Sequence, residues 1–159
     1  MILILLGTQD KPFNRILESV EEGIIKGYIK DKVVAQIGCT KFESNHMTIF
    51  DFISSDLFEQ YINDADIIIT HGGVGSIVTS LKKGKKVIAV ARLSKYGEHV
   101  NDHQIEIVEK YAKENLILAY NENDNLEDIL NKISTFNVKK YENDSTKIID
   151  FIRTYININ

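Results

Sequence analysis

A chain of 159 residues has room for one substantial hydrophobic core and not for two. Its 43% hydrophobic and 26% charged residues exclude a disordered tail and a collagen-like fibre. Nineteen Lys and Arg against 23 Asp and Glu give a net charge of −4, which argues against a general nucleic-acid binder, because counterion release needs a basic surface.

The apolar opening Ile2–Leu6 reads as a first strand. It lacks a basic flank and is too short for a signal peptide or a membrane span. A single cysteine, Cys39, cannot pair within the chain, so the expected setting is reducing and cytoplasmic, with any membrane contact made through a partner. Cys39 itself reads as an inert small residue after a strand. After the Gly7-Thr8-Gln9-Asp10 turn, Pro12 suits a first helical turn, and Phe13, Ile16, Leu17, Val20 and Ile24 form a helical stripe. Further strands are expected at Lys32–Ile37, Ile67–Thr70, Lys86–Val90 and Leu116–Ala119, each almost continuous in Ile, Val or Leu, as in parallel strands buried on both faces.

Between them lie stripes at Leu57, Tyr61 and Ile62; at Ile77, Val78 and Leu81, ending at Gly84; at Ile105, Val108 and Ala112; and at Leu126, Ile129, Leu130 and Ile133. Lys82, Lys83, Lys85 and Lys86 flank the helix end at Gly84, where cations oppose the negative dipole end. The segment Thr146–Ile158 carries Ile148, Ile149, Ile152, Tyr155 and Ile156 on one helical face. Packing on its own domain is the default for that helix, and contact with another subunit the sharper alternative. The alternation of strand and helix predicts a single doubly wound α/β domain over 1–159, with ligands bound beyond the carboxyl ends of the strands.

The most informative stretch is Ile67-Ile68-Ile69-Thr70-His71-Gly72-Gly73-Val74-Gly75-Ser76, a buried strand running through three glycines into a helix. Glycines admit close backbone approach, and a helix start offers unpaired N–H groups and a positive dipole end, so Gly72, Gly73, Gly75 and Ser76 describe a diphosphate site. Ser76 can serve a phosphate oxygen or cap its own helix. The bland alternative is a tight turn whose glycines serve packing only. The Gly7 turn lacks the dinucleotide fingerprint, no P-loop pattern occurs, and Ser76 is not in a nucleophile elbow.

A second constellation runs from Arg92 through Tyr96-Gly97-Glu98-His99-Val100-Asn101-Asp102-His103-Gln104. Asn101, Asp102, His103 and Gln104 supply the paired donors and acceptors that sugar hydroxyls need. A helix expected to begin near His99 would carry His99 and His103, four apart, but a metal site there is a minority reading without a third ligand. Taken singly, each of these residues also fits a solvated loop with Asn101 or Asp102 as a cap.

Together the two runs resemble the donor-binding half of glycosyltransferase family 28, over Ile2 to about Leu118, and within it the small subunits of bipartite transferases. The resemblance implies a Rossmann-like domain, one half of a GT-B enzyme, that binds a UDP-sugar. By the same resemblance Gly7 and Thr8 close on the diphosphate with Gly72, Gly73, Gly75 and Ser76. Phe52 and Ile53 hold uracil, partly through backbone groups, and Asn101–Gln104 contact the donor sugar. Relatives often carry Asp or Glu where this chain has Thr79, so its ribose contact lacks a charge.

A membrane-anchored partner would bind a lipid-linked saccharide and supply the base. His71 and His103 are candidates only if they reach the acceptor oxygen. The implied reaction is inverting transfer of a hexose or N-acetylhexosamine in capsule, exopolysaccharide or related glycan synthesis, with no metal or other cofactor. The competing classes are a stand-alone nucleotide-binding or regulatory protein of the same fold and a metal-dependent hydrolase using His99 and His103.

Overall fold

The computed structural model describes residues 1–139 and Tyr141. The expected helix over 146–158 lies outside the described residues. In chain order the elements are β1 (Ile2–Leu5), α1 (Asn14–Ile25), β2 (Val33–Gln36), β3 (Thr48–Phe50), α2 (Ser55–Asp64), β4 (Ile67–His71), α3 (Val74–Lys82), β5 (Lys86–Val90), α4 (His103–Lys113), β6 (Leu118–Ala119) and α5 (Leu126–Thr135). A single 3-10 turn at Ser94–Tyr96 follows β5.

The six strands are parallel and ordered β3-β2-β1-β4-β5-β6. Chain direction across the sheet therefore reverses between β1 and β4, and the loops leaving these two strands diverge above their carboxyl ends. A crevice at that position is where ligands sit in such sheets. Strand alternation explains how both faces are covered. Ile2, Ile4 and Leu6 pack with Ile16, Leu17 and Val20 of α1 and Ile129 and Ile133 of α5. Leu3 and Leu5 face the other way, with Ile62 of α2 and Ile68. Ile77 and Leu81 of α3 join Val87, Ala89 and Val108 of α4 in a third cluster. Truncating any fully buried Ile or Leu of these clusters to Ala costs about 2–5 kcal/mol.

Several expectations are corrected. Thr48–Phe50 is an edge strand that periodicity does not reveal, because it is three residues long with its first side chain exposed. Pro12 precedes the first helical residue of α1, Asn14; the N-terminal cap is Phe13, whose N–H is taken by Thr40 Oγ1 at 3.1 Å. α4 begins at His103 and not near His99. Gly84 does take a left-handed φ of 68° at the end of α3, but two of the neighbouring lysines cap other helices. Lys85 Nζ donates to the Asn63 and Ala65 carbonyls at the end of α2, and Lys86 Nζ to the Ile133 and Ser134 carbonyls of α5. Lys83 pairs with Glu59. The sheet brings those helix ends beside β5, where an ammonium meets free carbonyls.

Candidate donor-nucleotide site

Above the carboxyl ends of β1 and β4 lies a cavity of about 530 Å³ lined by Gly7, Thr8, Gln9, Gln36, Phe52, Ile53, Phe58, His71, Gly75, Ser76 and Thr79. It gathers residues from the loops after β1, β3 and β4 and from the first turns of α3. One wall is apolar, with Phe52 57% exposed at its rim, and the opposite wall is the start of α3. No side chain caps that helix, so its first N–H groups remain available to an anion. Ser76 lies inside the first turn and does not act as a cap. Its Oγ sits 3.4 Å from His71 Nε2.

The three glycines of the turn do three different things. A Cβ on Gly72 would strike Gln104 Cβ and Val108 Cγ2 at 2.9 Å, so this glycine lets α4 pack on the turn. A Cβ on Gly73 would collide with the His71 ring, and one on Gly7 would lie 2.6 Å from His71 Nε2. Those two glycines make room for the imidazole, and Gly7 also needs its φ of 75°. A Cβ on Gly75 meets nothing within 4 Å; it would project into open space on a cavity-lining residue. The packing account thus covers Gly72 and Gly73, and a ligand account is needed only for Gly75.

His71 ends β4 between these glycines. Gly73 N–H donates to Nδ1 at 3.0 Å, which places the remaining ring proton on Nε2. Burial pushes the imidazole pKa down to about 4, with the positive charges of Arg92 and His99 adding to the shift. The ring is neutral at neutral pH, and its Nε2–H is a hydrogen-bond donor that faces Ser76 Oγ at the cavity wall. It is poorly suited to be a base, since its one lone pair is occupied by Gly73.

The Arg92–Gln104 segment is built differently. Arg92 is 1% exposed, stacks over Phe13 at 4.8 Å, and donates to the Leu6, Lys11 and Glu98 carbonyls. Glu98, also buried, binds Arg15 Nε at 2.9 Å and accepts from Leu93 N–H. Asp102 turns back onto Ser94, accepting from its N–H at 2.7 Å and its hydroxyl at 3.0 Å, and these bonds hold its carboxyl below the usual range. Asn101 Oδ1 accepts from His103 N–H, and His99 Nδ1 lies against the Asn101 backbone. Gln104 Oε1 accepts from Gly72 N–H at 3.0 Å and Arg92 N–H at 3.1 Å.

The cavity brings together Gly7, Thr8, Phe52, Ile53, His71, Gly75, Ser76 and Thr79, while Gly72 and Gly73 are not among its lining residues. Asn101, Asp102, His103 and Gln104 do not line the cavity; they flank it behind Gly72. His103 is exposed and its Nδ1 lies 3.2 Å from Glu106. His99 and His103 have separate partners, and among the described residues no group of three His, Cys, Asp or Glu side chains converges. Sequence reasoning missed Gln9, Gln36 and Phe58. A signal existed for Gln36, the one polar residue inside the run Val33–Ile37.

The family model described as the glycosyltransferase family 28 C-terminal domain matches residues 1–156. A Candida albicans protein named UDP-N-acetylglucosamine transferase subunit ALG13 is 30% identical over 100 residues, covering 57% of this chain and 33% of that one. The chain spans a third to a half of the length of three fungal relatives it matches. Among solved structures, an NMR structure of ALG13 superposes with a TM-score of 0.58 at 18% identity, covering 93% of each chain. The glycosyltransferase of kitacinnamycin gives 0.64 at 17% identity, covering 84% of this chain and 34% of that one. At these identities the superpositions establish the shared fold.

Proposed function

Because this chain belongs to the glycosyltransferase family 28 C-terminal domain family, we propose that it is the donor-binding part of a UDP-sugar-dependent transferase that works with a second, acceptor-binding chain. The observation that carries this reading is the cavity at the sheet's switch point, where an uncapped helix start faces an apolar wall across room for a nucleotide. Uracil is assigned to Phe52 and Ile53, ribose to Thr79, and the diphosphate to Gly7, Thr8, Gly75 and Ser76, while Gly72 and Gly73, whose N–H groups are taken by Gln104 and His71, shape the turn that presents them. The names of the fungal relatives favour N-acetylglucosamine as the transferred sugar and a heteromeric enzyme.

In the proposed reaction the bond from the sugar's anomeric carbon to the diphosphate oxygen breaks as the acceptor hydroxyl attacks. Negative charge grows on the departing UDP. In this proposal the α3 N–H groups, the Ser76 hydroxyl and His71 Nε2–H, which line the cavity, stabilise that charge. The donor sugar is assigned to Asn101–Gln104, which flank the cavity behind Gly72. There the Gln104 amide N–H₂ and the His103 imidazole are the groups not tied to the backbone. The base is assigned to the partner chain, since His71 presents a proton and His103 lies outside the cavity.

A lipid-linked saccharide acceptor, inverting stereochemistry, a role in capsule, exopolysaccharide or related glycan synthesis, and attachment at the cytoplasmic face of a membrane through the partner complete the proposal. Neither a metal nor another cofactor is part of it. No helix among the described residues is long and apolar enough to cross a membrane. A second reading, a nucleotide-binding protein of this fold without transfer, draws on Thr79, which contributes a hydroxyl but no charge to the cavity wall.

Calorimetric titration with UDP, UDP-sugars, ADP and GDP tests the assignment. Saturable binding confined to uridine compounds is expected. Gly75→Val should lower UDP affinity by about 100-fold with an unchanged melting temperature, because its side chain enters only ligand space. Equal binding by this variant would remove the diphosphate from the start of α3. Tighter binding of UDP than of every UDP-sugar, with or without the partner, would favour the second reading.

A further inference from the structure

Gln36 is a buried amide at the end of a strand whose other residues are Val33, Val34 and Ala35. A polar side chain at such a position destabilises the fold unless its hydrogen-bonding capacity is met. Its Nε2 donates twice, to the Gly7 carbonyl at 2.8 Å and to the Asp51 carbonyl at 3.0 Å. Two carbonyl partners fix the amide's orientation, since only the nitrogen can face both. Gly7 opens the loop after β1, and Asp51 immediately precedes Phe52 and Ile53 in the loop after β3. Both loops line the nucleotide cavity, and no other side-chain hydrogen bond among the described residues joins them.

The backbone that follows Gln36 completes the same junction. Gly38 N–H donates to the Asp51 carbonyl at 2.9 Å, and Ile37 N–H to the Phe50 carbonyl at 2.9 Å. Gly38 has a φ of 61°, and a Cβ there would lie 2.5 Å from the Gly7 carbonyl oxygen. The Gly7 loop thus rests directly on the turn after β2.

We infer that Gln36 is a positioning residue for donor binding: its amide clamps the diphosphate-side loop at Gly7 to the uracil-side loop at Asp51 and sets the width of the cavity between them. This rests on the donor-site reading above. The clamp acts on both ends of the nucleotide at once. Losing it should cost affinity for UDP as a whole, while uridine and inorganic diphosphate, which each engage one loop, should be affected much less. A merely structural Gln36 would not produce that split.

The test is calorimetry of Gln36→Met, which keeps length and removes both donors, with UDP, uridine and diphosphate as probes. Amide exchange is followed at residues 7–9 and 51–53. The expected result is a fall in UDP affinity of about 10-fold, the equivalent of two ordinary hydrogen bonds, a smaller loss for either fragment, and faster exchange confined to the two loops. Gly38→Ala, which displaces the Gly7 carbonyl without touching the cavity, should give the same pattern and stands in if Gln36→Met does not fold. Unchanged UDP affinity in either variant, or exchange that rises equally across β4 and α4, overturns the inference. Failure of the unaltered protein to bind UDP would overturn the donor-site reading itself, a separate result.

Discussion

At the start of α3 the chain leaves backbone N–H groups without a side-chain cap beside a cavity, whereas after β5 it turns its polar side chains onto its own backbone. The start of α3 has no side-chain cap, and His71 Nε2–H and Ser76 Oγ stand on a cavity wall. In the Arg92–Gln104 loop, by contrast, Arg92, Glu98, Asp102 and the Gln104 carbonyl oxygen are all held by backbone partners. Both regions are dense in functional side chains, and both belong to the runs that carry the family resemblance. The difference is that hydrogen-bonding capacity already met within the protein supports a site, while capacity left open can bind a ligand. The second region is a buttress that holds Gly72 and the loop after β1 in place.

The buttress can be broken at Arg92. Its guanidinium is buried, holds three carbonyls from two separate loops, and stacks on Phe13. Arg92→Leu leaves those carbonyls without their donor, while the Glu98 carboxylate keeps Arg15 and the Leu93 N–H. The expected loss is about 3–5 kcal/mol of unfolding free energy, from three carbonyls that lose a charged donor at about 1–3 kcal/mol each, offset in part by the apolar replacement. Urea denaturation measures it. A loss under about 1 kcal/mol would mean that the loop holds itself through Glu98 and Asp102.

Much of this division was beyond the sequence. Strands β1, β2, β4 and β5 were legible because continuous runs of Ile and Val have no other economical burial in an α/β chain. β3 was not, because Thr48–Phe50 is short and half-exposed. One side of the cavity was legible from Gly75, since a helix start after glycines has a direct physical meaning, whereas Gly7 and Phe52 came only with the family resemblance. The fate of the second motif was not, because Arg92 and Asp102 look alike in sequence whether they face a sugar or a carbonyl. The separate roles of Gly72, Gly73 and Gly75 also needed coordinates: only the neighbours of each absent Cβ distinguish packing from ligand space.

The open region can be probed by pH at His71. Its folded pKa of about 4 lies below the ordinary imidazole value of 6.5, so protonation favours the unfolded chain. His71 therefore contributes full stability above about pH 6.5 and loses it progressively as pH falls toward 4, by up to about 3 kcal/mol. Urea midpoints compared between pH 7 and pH 4.5 should fall further in the unaltered protein than in His71→Gln, which titrates nowhere in that window. Parallel profiles would mean that the imidazole is not held neutral.

The smallest expected effect decides whether the buttress also touches the sugar. Gln104 Oε1 is bound to Gly72 and Arg92, while its amide N–H₂ makes no hydrogen bond to the described residues. Gln104→Glu keeps an oxygen for both backbone N–H groups, which favour its carboxylate, and replaces the two donors with a second, charged oxygen. Gln104→Ala removes both functions and leaves two buried N–H groups unpaired, at about 1–3 kcal/mol of stability. If the amide reads a sugar hydroxyl, Gln104→Glu should retain UDP affinity and lose about 5- to 10-fold for the preferred UDP-sugar, whereas Gln104→Ala should weaken both ligands. Calorimetry with the two ligands resolves this difference. Equal affinities of Gln104→Glu and the unaltered protein for the UDP-sugar would leave Gln104 wholly within the buttress and move sugar recognition to His103 or to the partner chain.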